Sequence, residues 1–236
     1  MKQKTLSLLF LFLCGMAFTA CEETTEPTAY DNWRERNDAF IDSIRTETGE
    51  NYLVWRNPAT RVTTDLGQTD MVLGDLYAVE VQDGNTTAGL QYAYCKKLVD
   101  NPDGERLLYT DNVEIFLYCT YINGEVVVSN FEGYTALDRN IPYGQIDEMK
   151  WPTDFDEPTV QALNSSSVLP NGIRWPLQLA RTGERWLIYV PYTSNVGYGE
   201  NDRSFQFYLA DNSYSTVSVR GCSVLAYDIV IGEISD

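Results

Sequence analysis

The sequence predicts an α+β fold, in which a leading helix precedes a mostly antiparallel sheet with a short second helix. Three observations predict it. Apolar residues recur at helical spacing ahead of Gly49, β-branched and aromatic runs dominate the chain after it, and Asn123-Gly124 stands between two of those runs. An Asn-Gly pair flanked by strand-forming residues is the strongest short-range hairpin signal a sequence carries. The chain has 236 residues, 44% of them apolar. That suffices to bury a core in one large domain, with or without an extension.

Residues 29–48 read as the helix. Trp33, Phe40, Ile41 and Ile44 share one face, and Arg34, Glu35, Arg36, Asp38 and Asp42 fill the other. Gly49 supplies the stop. Strands are expected at 52–55, 61–65, 76–81, 90–95, 112–122, 125–131, 185–192, 215–219 and 224–231, all rich in β-branched and aromatic residues. Asp83-Gly84 and Asp103-Gly104 mark two further turns. A short helix fits 175–180, with Pro176 in its first turn, where the missing N–H is harmless.

Composition excludes whole classes of chemistry. With no histidine, neither a Ser-His-Asp nor a Cys-His nucleophile can be assembled, and imidazole zinc sites are ruled out. The chain has 34 acidic and 17 basic side chains. That excess repels phosphate backbones and argues against a nucleic-acid partner, while keeping the protein soluble. Asp100-Asn101-Pro102-Asp103-Gly104 lacks the alternating ligands and distal Glu of a calcium loop, so it reads as a turn and no metal site is expected. No S-x-x-K dyad and no Gly-rich phosphate loop occurs.

The first residues point to export. Lys2 and Lys4 precede an apolar run from Leu6 to Phe18, too short for a comfortable membrane span and suited to a signal peptide. The run closes on Thr19-Ala20-Cys21, which resembles a bacterial lipobox with Phe18 in place of the usual Leu. Residues 1–20 would then be a lipoprotein signal peptide and Cys21 the lipidated first residue, anchored by several acyl chains. Plain signal cleavage, leaving Cys21 a free thiol, is the alternative. Residues 21–30, with Glu22-Glu23 and Pro27, read as an acidic tether. An acidic run after the lipid cysteine resembles the surface-export signal of lipoproteins in the Bacteroides group. The expected location is therefore the cell envelope, at the outer membrane, on its periplasmic face or the cell surface. Cys95, Cys119 and Cys222 remain, scattered and odd in number, so at most one disulfide forms and buried free thiols are favoured.

The C-terminal part resembles an FKBP-type peptidyl-prolyl cis-trans isomerase domain over about residues 86–236, with residues 31–85 as a helical extension. The resemblance is carried by Gly172-Ile173-Arg174-Trp175-Pro176-Leu177-Gln178-Leu179-Ala180-Arg181-Thr182-Gly183 and by the strand Arg185-Trp186-Leu187-Ile188-Tyr189-Val190-Pro191. It continues through Tyr198-Gly199, the closing strand Ser223–Ile231 with its Tyr227-Asp228 pair, and Asp111-Asn112-Val113-Glu114-Ile115 leading to Asn123-Gly124. The helix near Trp33 is similar to the leading helix of FKBP-type lipoproteins.

The resemblance implies an FKBP-like fold, a bent antiparallel sheet wrapped on a short helix with an N-terminal helical extension, and with it an activity and a site. It implies rotamase activity on proline-containing polypeptides, in protein folding or chaperoning of exported chains, without any cofactor. The chemistry needs no histidine. The barrier of about 18–20 kcal/mol is mainly lost amide resonance, and a dry apolar pocket that prefers the twisted amide lowers it by differential binding. Tyr198 would donate its hydroxyl to a substrate carbonyl, and Tyr227 would be the pocket aromatic of the last strand. Ile173 stands where the family has its tryptophan floor, Leu117 in register with a pocket tyrosine, and Val127 and Val128 in place of a Phe-Asp pair. Leu169 would offer a backbone N–H, or, one register on, Pro170 would offer none. Residues 141–160 and 200–222 are insertions beside the pocket.

Other readings stand beside this one. Tyr227, Ile173 and Leu117 serve equally as core residues. A non-catalytic FKBP-like module that grips a peptide or protein keeps the fold without the activity. A carbohydrate-binding surface lipoprotein rests only on the compartment and on abundant Tyr and Trp. Trp33, Phe40 and Ile44 could form a homodimer seam or pack on the chain's own sheet.

Overall fold

Trp33–Thr48 form helix α1, whose buried residues Trp33, Asn37, Ile41, Ile44 and Thr48 recur at spacings of three and four. The computed structural model describes residues 28–53, 71–81, 90–165, 169–193, 195–209 and 213–235. The leader, Cys21, the expected strand at 61–65 and the Asp83-Gly84 turn lie outside them. Met1–Asp31 and Asn32–Asp236 are separate compact units. In the described part of the first, Thr28 bonds the Asp31 carboxylate through its N–H at 3.0 Å and its hydroxyl at 2.6 Å.

After α1 come β1 (Tyr52–Leu53), β2 (Leu76–Val81), β3 (Gln91–Val99), β4 (Asn112–Tyr121), β5 (Val126–Ser129) and β6 (Thr159–Ala162). Helix α2 (Asn171–Leu177) follows, then β7 (Arg185–Val190), β8 (Arg203–Tyr208), β9 (Tyr214–Val219) and β10 (Leu225–Ser235). The main sheet runs β1-β2-β3-β7-β10-β4-β5, with β6 also on β4; β8 and β9 make a separate hairpin. Every described pairing is antiparallel except β1 with β2. Register shifts interrupt β10 against β4, β3 against β7 and β4 against β5. Such bulges bend a sheet and raise its twist. The fold is thus α+β, a bent and mostly antiparallel sheet with an N-terminal helix and a second short one. Strands β1 and β2, from the segment read as an extension, belong to that same sheet.

Strand register sorts the side chains onto two faces. Ile115, Leu117 and Cys119 of β4 stand opposite Ile231, Ile229 and Tyr227 of β10, which in turn neighbour Trp186 and Ile188 of β7. These residues are all buried. They form the inner face, where α2 sits with Gly172 backed onto Val190 and its N–H 2.8 Å from the Val196 carbonyl. The outer face carries Asp228, Arg185, Leu187, Tyr189, Lys96 and Tyr94. Helix α1 packs there: Phe40 meets Tyr189 edge-on at 5.8 Å, and Arg45 Nε donates to the Tyr94 hydroxyl at 3.1 Å. The buried amide of Asn37 accepts the Val224 N–H at 2.7 Å, and Trp33 Nε1 donates to Ser223 Oγ at 3.0 Å. The apolar stripe of α1 therefore packs on the chain's own sheet.

A strap over residues 131–151 covers the rest of the outer face and encloses an ion pair. Arg185 and Asp228 are both 0% exposed. Arg185 Nε lies 2.8 Å from Asp228 Oδ1 and Nη2 2.5 Å from Oδ2, and the Arg185 guanidinium also donates to the Lys150 carbonyl. Asp228 Oδ2 accepts the Tyr134 N–H at 2.8 Å, and the rings of Phe131, Tyr134 and Trp151 surround the guanidinium at 4.9–5.7 Å. Gly133 permits this closure, since a Cβ there would come within 2.7 Å of Asp228 Oδ2 and 2.6 Å of Tyr118 Cβ.

Several local expectations are corrected. The hairpin at Asn123-Gly124 has a three-residue loop, not two: Tyr121 N–H bonds the Glu125 carbonyl at 2.9 Å and Gly124 takes φ +81°. That is the turn-plus-bulge geometry in which a glycine occupies the left-handed position. Helix α2 begins at Asn171 instead of 175, so Pro176 falls in its last turn. The helix can start early because Pro170, in extended backbone, offers its carbonyl to the N–H groups of Ile173 and Arg174. Strand β3 runs on to Val99 through Lys96 and Lys97. Lys97 is buried because its Nζ reaches Glu184 and Asp100, each at 2.7 Å.

Candidate functional site

The residues singled out by sequence divide among a buried cluster around Tyr198, Tyr227 and Leu117, the α2 segment with Ile173 and Leu169, and an outlying strand. Tyr227 sits mid-β10 on the inner face, 2% exposed, directly across from Cys119. Its hydroxyl donates to the Tyr198 hydroxyl at 3.4 Å. Burial raises the Tyr198, Tyr227 and Cys119 pKa values, so all three stay protonated at neutral pH. Leu117 lies two residues along β4 from Cys119 on the same face, opposite Ile229, and is 0% exposed. Ile173 is 0% and Leu169 2% exposed, in and just before α2. Val127 stands half-buried in β5, at the bulge against Cys119 and Thr120, while Val128 turns inward opposite Cys119.

The 200–222 segment, read as an insertion, holds the β8–β9 hairpin, and it covers Tyr198. Phe205 of β8 stacks on Tyr198 with ring centroids 5.3 Å apart and planes 13° from parallel. The hairpin is fastened at both ends. The Arg220 N–H donates to the Tyr121 hydroxyl at 2.9 Å, and Thr159 Oγ1 donates to the Tyr208 carbonyl at 2.6 Å. Phe207, Val217 and Val219 bury its underside. Tyr198 alone of the cluster keeps partial exposure. A hydroxyl pair under a ring can grip a carbonyl group only if that ring moves.

Phe205 was missed because 200–222 reads as an insertion. The signal was present: the apolar residues at 205 and 207 alternate with Ser204 and Gln206, the period of a half-buried strand. The second insertion, 141–160, contributes Lys150 and Trp151 to the Arg185 enclosure and starts β6, away from Tyr198. The Tyr227-Asp228 pair is split by the pleat, so Asp228 faces the ion pair and not the cluster. Among the described residues no group of His, Cys, Asp and Glu is arranged to hold a metal ion.

The outer face holds a separate cavity of about 340 Å³ between α1, the β3–β7 surface and the strap. Phe40, Ile44 and Leu187 make its apolar floor, and Tyr189, Lys96, Glu47, Asp138 and Arg139 bring polar groups to it. Nothing in the sequence marks it, because its walls come from three distant segments.

No family model matches the chain, and no curated protein matches it either. Solved structures do resemble it. A peptidyl-prolyl cis-trans isomerase from Pseudomonas syringae shares 15% identity at a TM-score of 0.41, over 85% of this chain and 96% of that one. FkpA from Escherichia coli shares 12% at 0.44, over 100% of this chain and 73% of its own. A DUF4827 family protein from Parabacteroides distasonis shares 12% at 0.36, over 87% and 98%.

Proposed function

We propose that this chain is a non-catalytic FKBP-like module that binds a peptide or protein in the cell envelope, tethered through a lipid on Cys21. The observation that carries this reading is Phe205 stacked on Tyr198, whose hydroxyl meets that of Tyr227, with Tyr227, Leu117, Ile173 and Leu169 all already buried. Prolyl isomerisation needs an open apolar pocket in which a twisted amide binds better than a planar one. Here the side chains that would line such a pocket are already buried, apart from the half-buried Tyr198 and Val127. The motifs around Gly172, Tyr198 and Tyr227 support the FKBP-type part of the reading, and the export leader and Cys21 support the anchor.

The isomerase reading keeps one observation in its favour. Tyr198 stays partly exposed, with its hydroxyl beside that of Tyr227. The test is cis-to-trans relaxation of prolyl tetrapeptides, with several residues before the proline, in the presence of the full chain. The uncatalysed process takes tens to hundreds of seconds, so modest catalysis is visible. The expected outcome is no acceleration. Acceleration that Tyr198→Ala abolishes would replace the binding module with an isomerase acting on exported polypeptides.

A further inference from the structure

The outer-face cavity differs from the closed cluster around Tyr198: it is open, and Tyr189 lines it with a hydroxyl that takes part in no hydrogen bond among the described residues. Its volume of about 340 Å³ lies at the small end of ligand sites, which span roughly 300–1,000 Å³. Tyr189 is 8% exposed and lines the cavity. Its ring is held by the edge of Phe40, yet none of the hydrogen bonds among the described residues uses its hydroxyl. That hydroxyl is open to the cavity, so an occupant can take its hydrogen bond in place of water.

The charges around the cavity are of both signs. Arg139 makes no ion pair among the described residues, and it is exposed at the strap side. Lys96 is held only loosely by Glu47, at 3.6 Å. Asp138 uses Oδ2 for the Thr135 N–H and hydroxyl, at 2.6 and 2.9 Å, leaving Oδ1 for a cation. Burial, then the fields of Glu47 and Asp138, push the Tyr189 phenol up to about 12 against the opposing pull of Arg139, so it is a neutral donor at physiological pH. An apolar floor ringed by the Arg139 guanidinium and by the carboxylates of Asp138 and Glu47 matches one compact ligand chemistry.

We propose that this cavity binds a free apolar α-amino acid as its zwitterion. The ligand carboxylate meets Arg139 and the Tyr189 hydroxyl, its ammonium meets Asp138 or Glu47, and its side chain rests on Phe40, Ile44 and Leu187. Requiring both charges distinguishes the free amino acid from a chain terminus. A peptide C-terminus offers only the carboxylate and an N-terminus only the ammonium. The site lies on the opposite sheet face from Tyr198, so it stands whether or not the chain isomerises prolyl bonds.

The test is calorimetric titration of the full chain with L-leucine, L-phenylalanine, N-acetyl-L-leucine, L-leucinamide and glycine. Leucine or phenylalanine should bind, and each blocked form and glycine should bind at least about tenfold more weakly, the factor of one lost good polar or apolar contact. Tyr189→Phe and Arg139→Gln should each weaken leucine binding by about tenfold while leaving the far-UV spectrum and melting temperature in place. Equal binding of N-acetyl-L-leucine would overturn the proposal in favour of a carboxylate-only site. So would absence of binding by every probe, or leucine affinity unchanged in both variants.

Discussion

At the residue scale, the Arg185–Asp228 pair shows how one position can be legible in the sequence and its role illegible. Tyr227-Asp228 resembles the aromatic-Asp pair of an FKBP-type closing strand, and the strand is indeed central. Alternation then sends the two side chains to opposite faces, Tyr227 beneath the β8–β9 hairpin and Asp228 onto Arg185. No sequence pattern announces that partner, which lies 43 positions away on β7. Both members are fully buried, so removing one leaves an uncompensated charge, at a cost of about 3–5 kcal/mol. Asp228→Asn should therefore lower the urea midpoint strongly with little change in slope. The double replacement Arg185→Met with Asp228→Leu should recover most of the loss, because a well-packed apolar pair often matches a buried ion pair. A small effect of Asp228→Asn would mean that the Lys150 carbonyl and the three rings alone hold the guanidinium.

At the element scale, the helix, the longer strands and β9 were legible, and β8, which pairs with β9 over Tyr198, was not. Strand β2 falls where its run of apolar and β-branched residues places it, and β4 and β7 differ from expectation only at their ends. Strand β10 extends four residues past the expected end, carried across a bulge by its pairing with β4. Strands β6 and β8 have polar, half-exposed patterns that propensity alone ranks with loops, and each is fixed by the partner beside it. The hairpin sets access to Tyr198 through Phe205, so Phe205→Ala should uncover that phenol. Nitration by tetranitromethane, mapped by mass spectrometry, should then modify Tyr198 several-fold faster than in the parent protein. An unchanged rate would show that something other than Phe205 limits access.

At the scale of the whole molecule, charge and topology set the behaviour. The formal charge is −17 at pH 7, and self-repulsion of that size destabilises a compact state until salt screens it. Raising the ionic strength from about 0.01 to 0.15 M shortens the screening length from roughly 30 to 8 Å. The melting temperature should rise over that interval, and a fall would place the dominant electrostatic term in the ion pairs instead. The sheet order joins strands far apart in sequence, β3 with β7 and β10 with β4. Such non-local pairing predicts folding on the millisecond-to-second scale, slower than helical domains of similar stability.

Local pattern and composition determined a great deal about this protein. They fixed the helix before the sheet, most strand positions and the glycine turn at 124. They also fixed the exclusion of histidine chemistry and the acidic surface. These properties depend on neighbours a few residues apart, or on counts alone, which a sequence displays directly. Tertiary structure decided the rest: that Phe205 lies on Tyr198, that Asp228 faces away from Tyr227 toward Arg185, and that α1, β7 and the strap enclose a cavity around Tyr189. Each of those is a contact between distant segments, set by strand register and by which face a pleat presents. A shift of one residue in register would reverse every one of them.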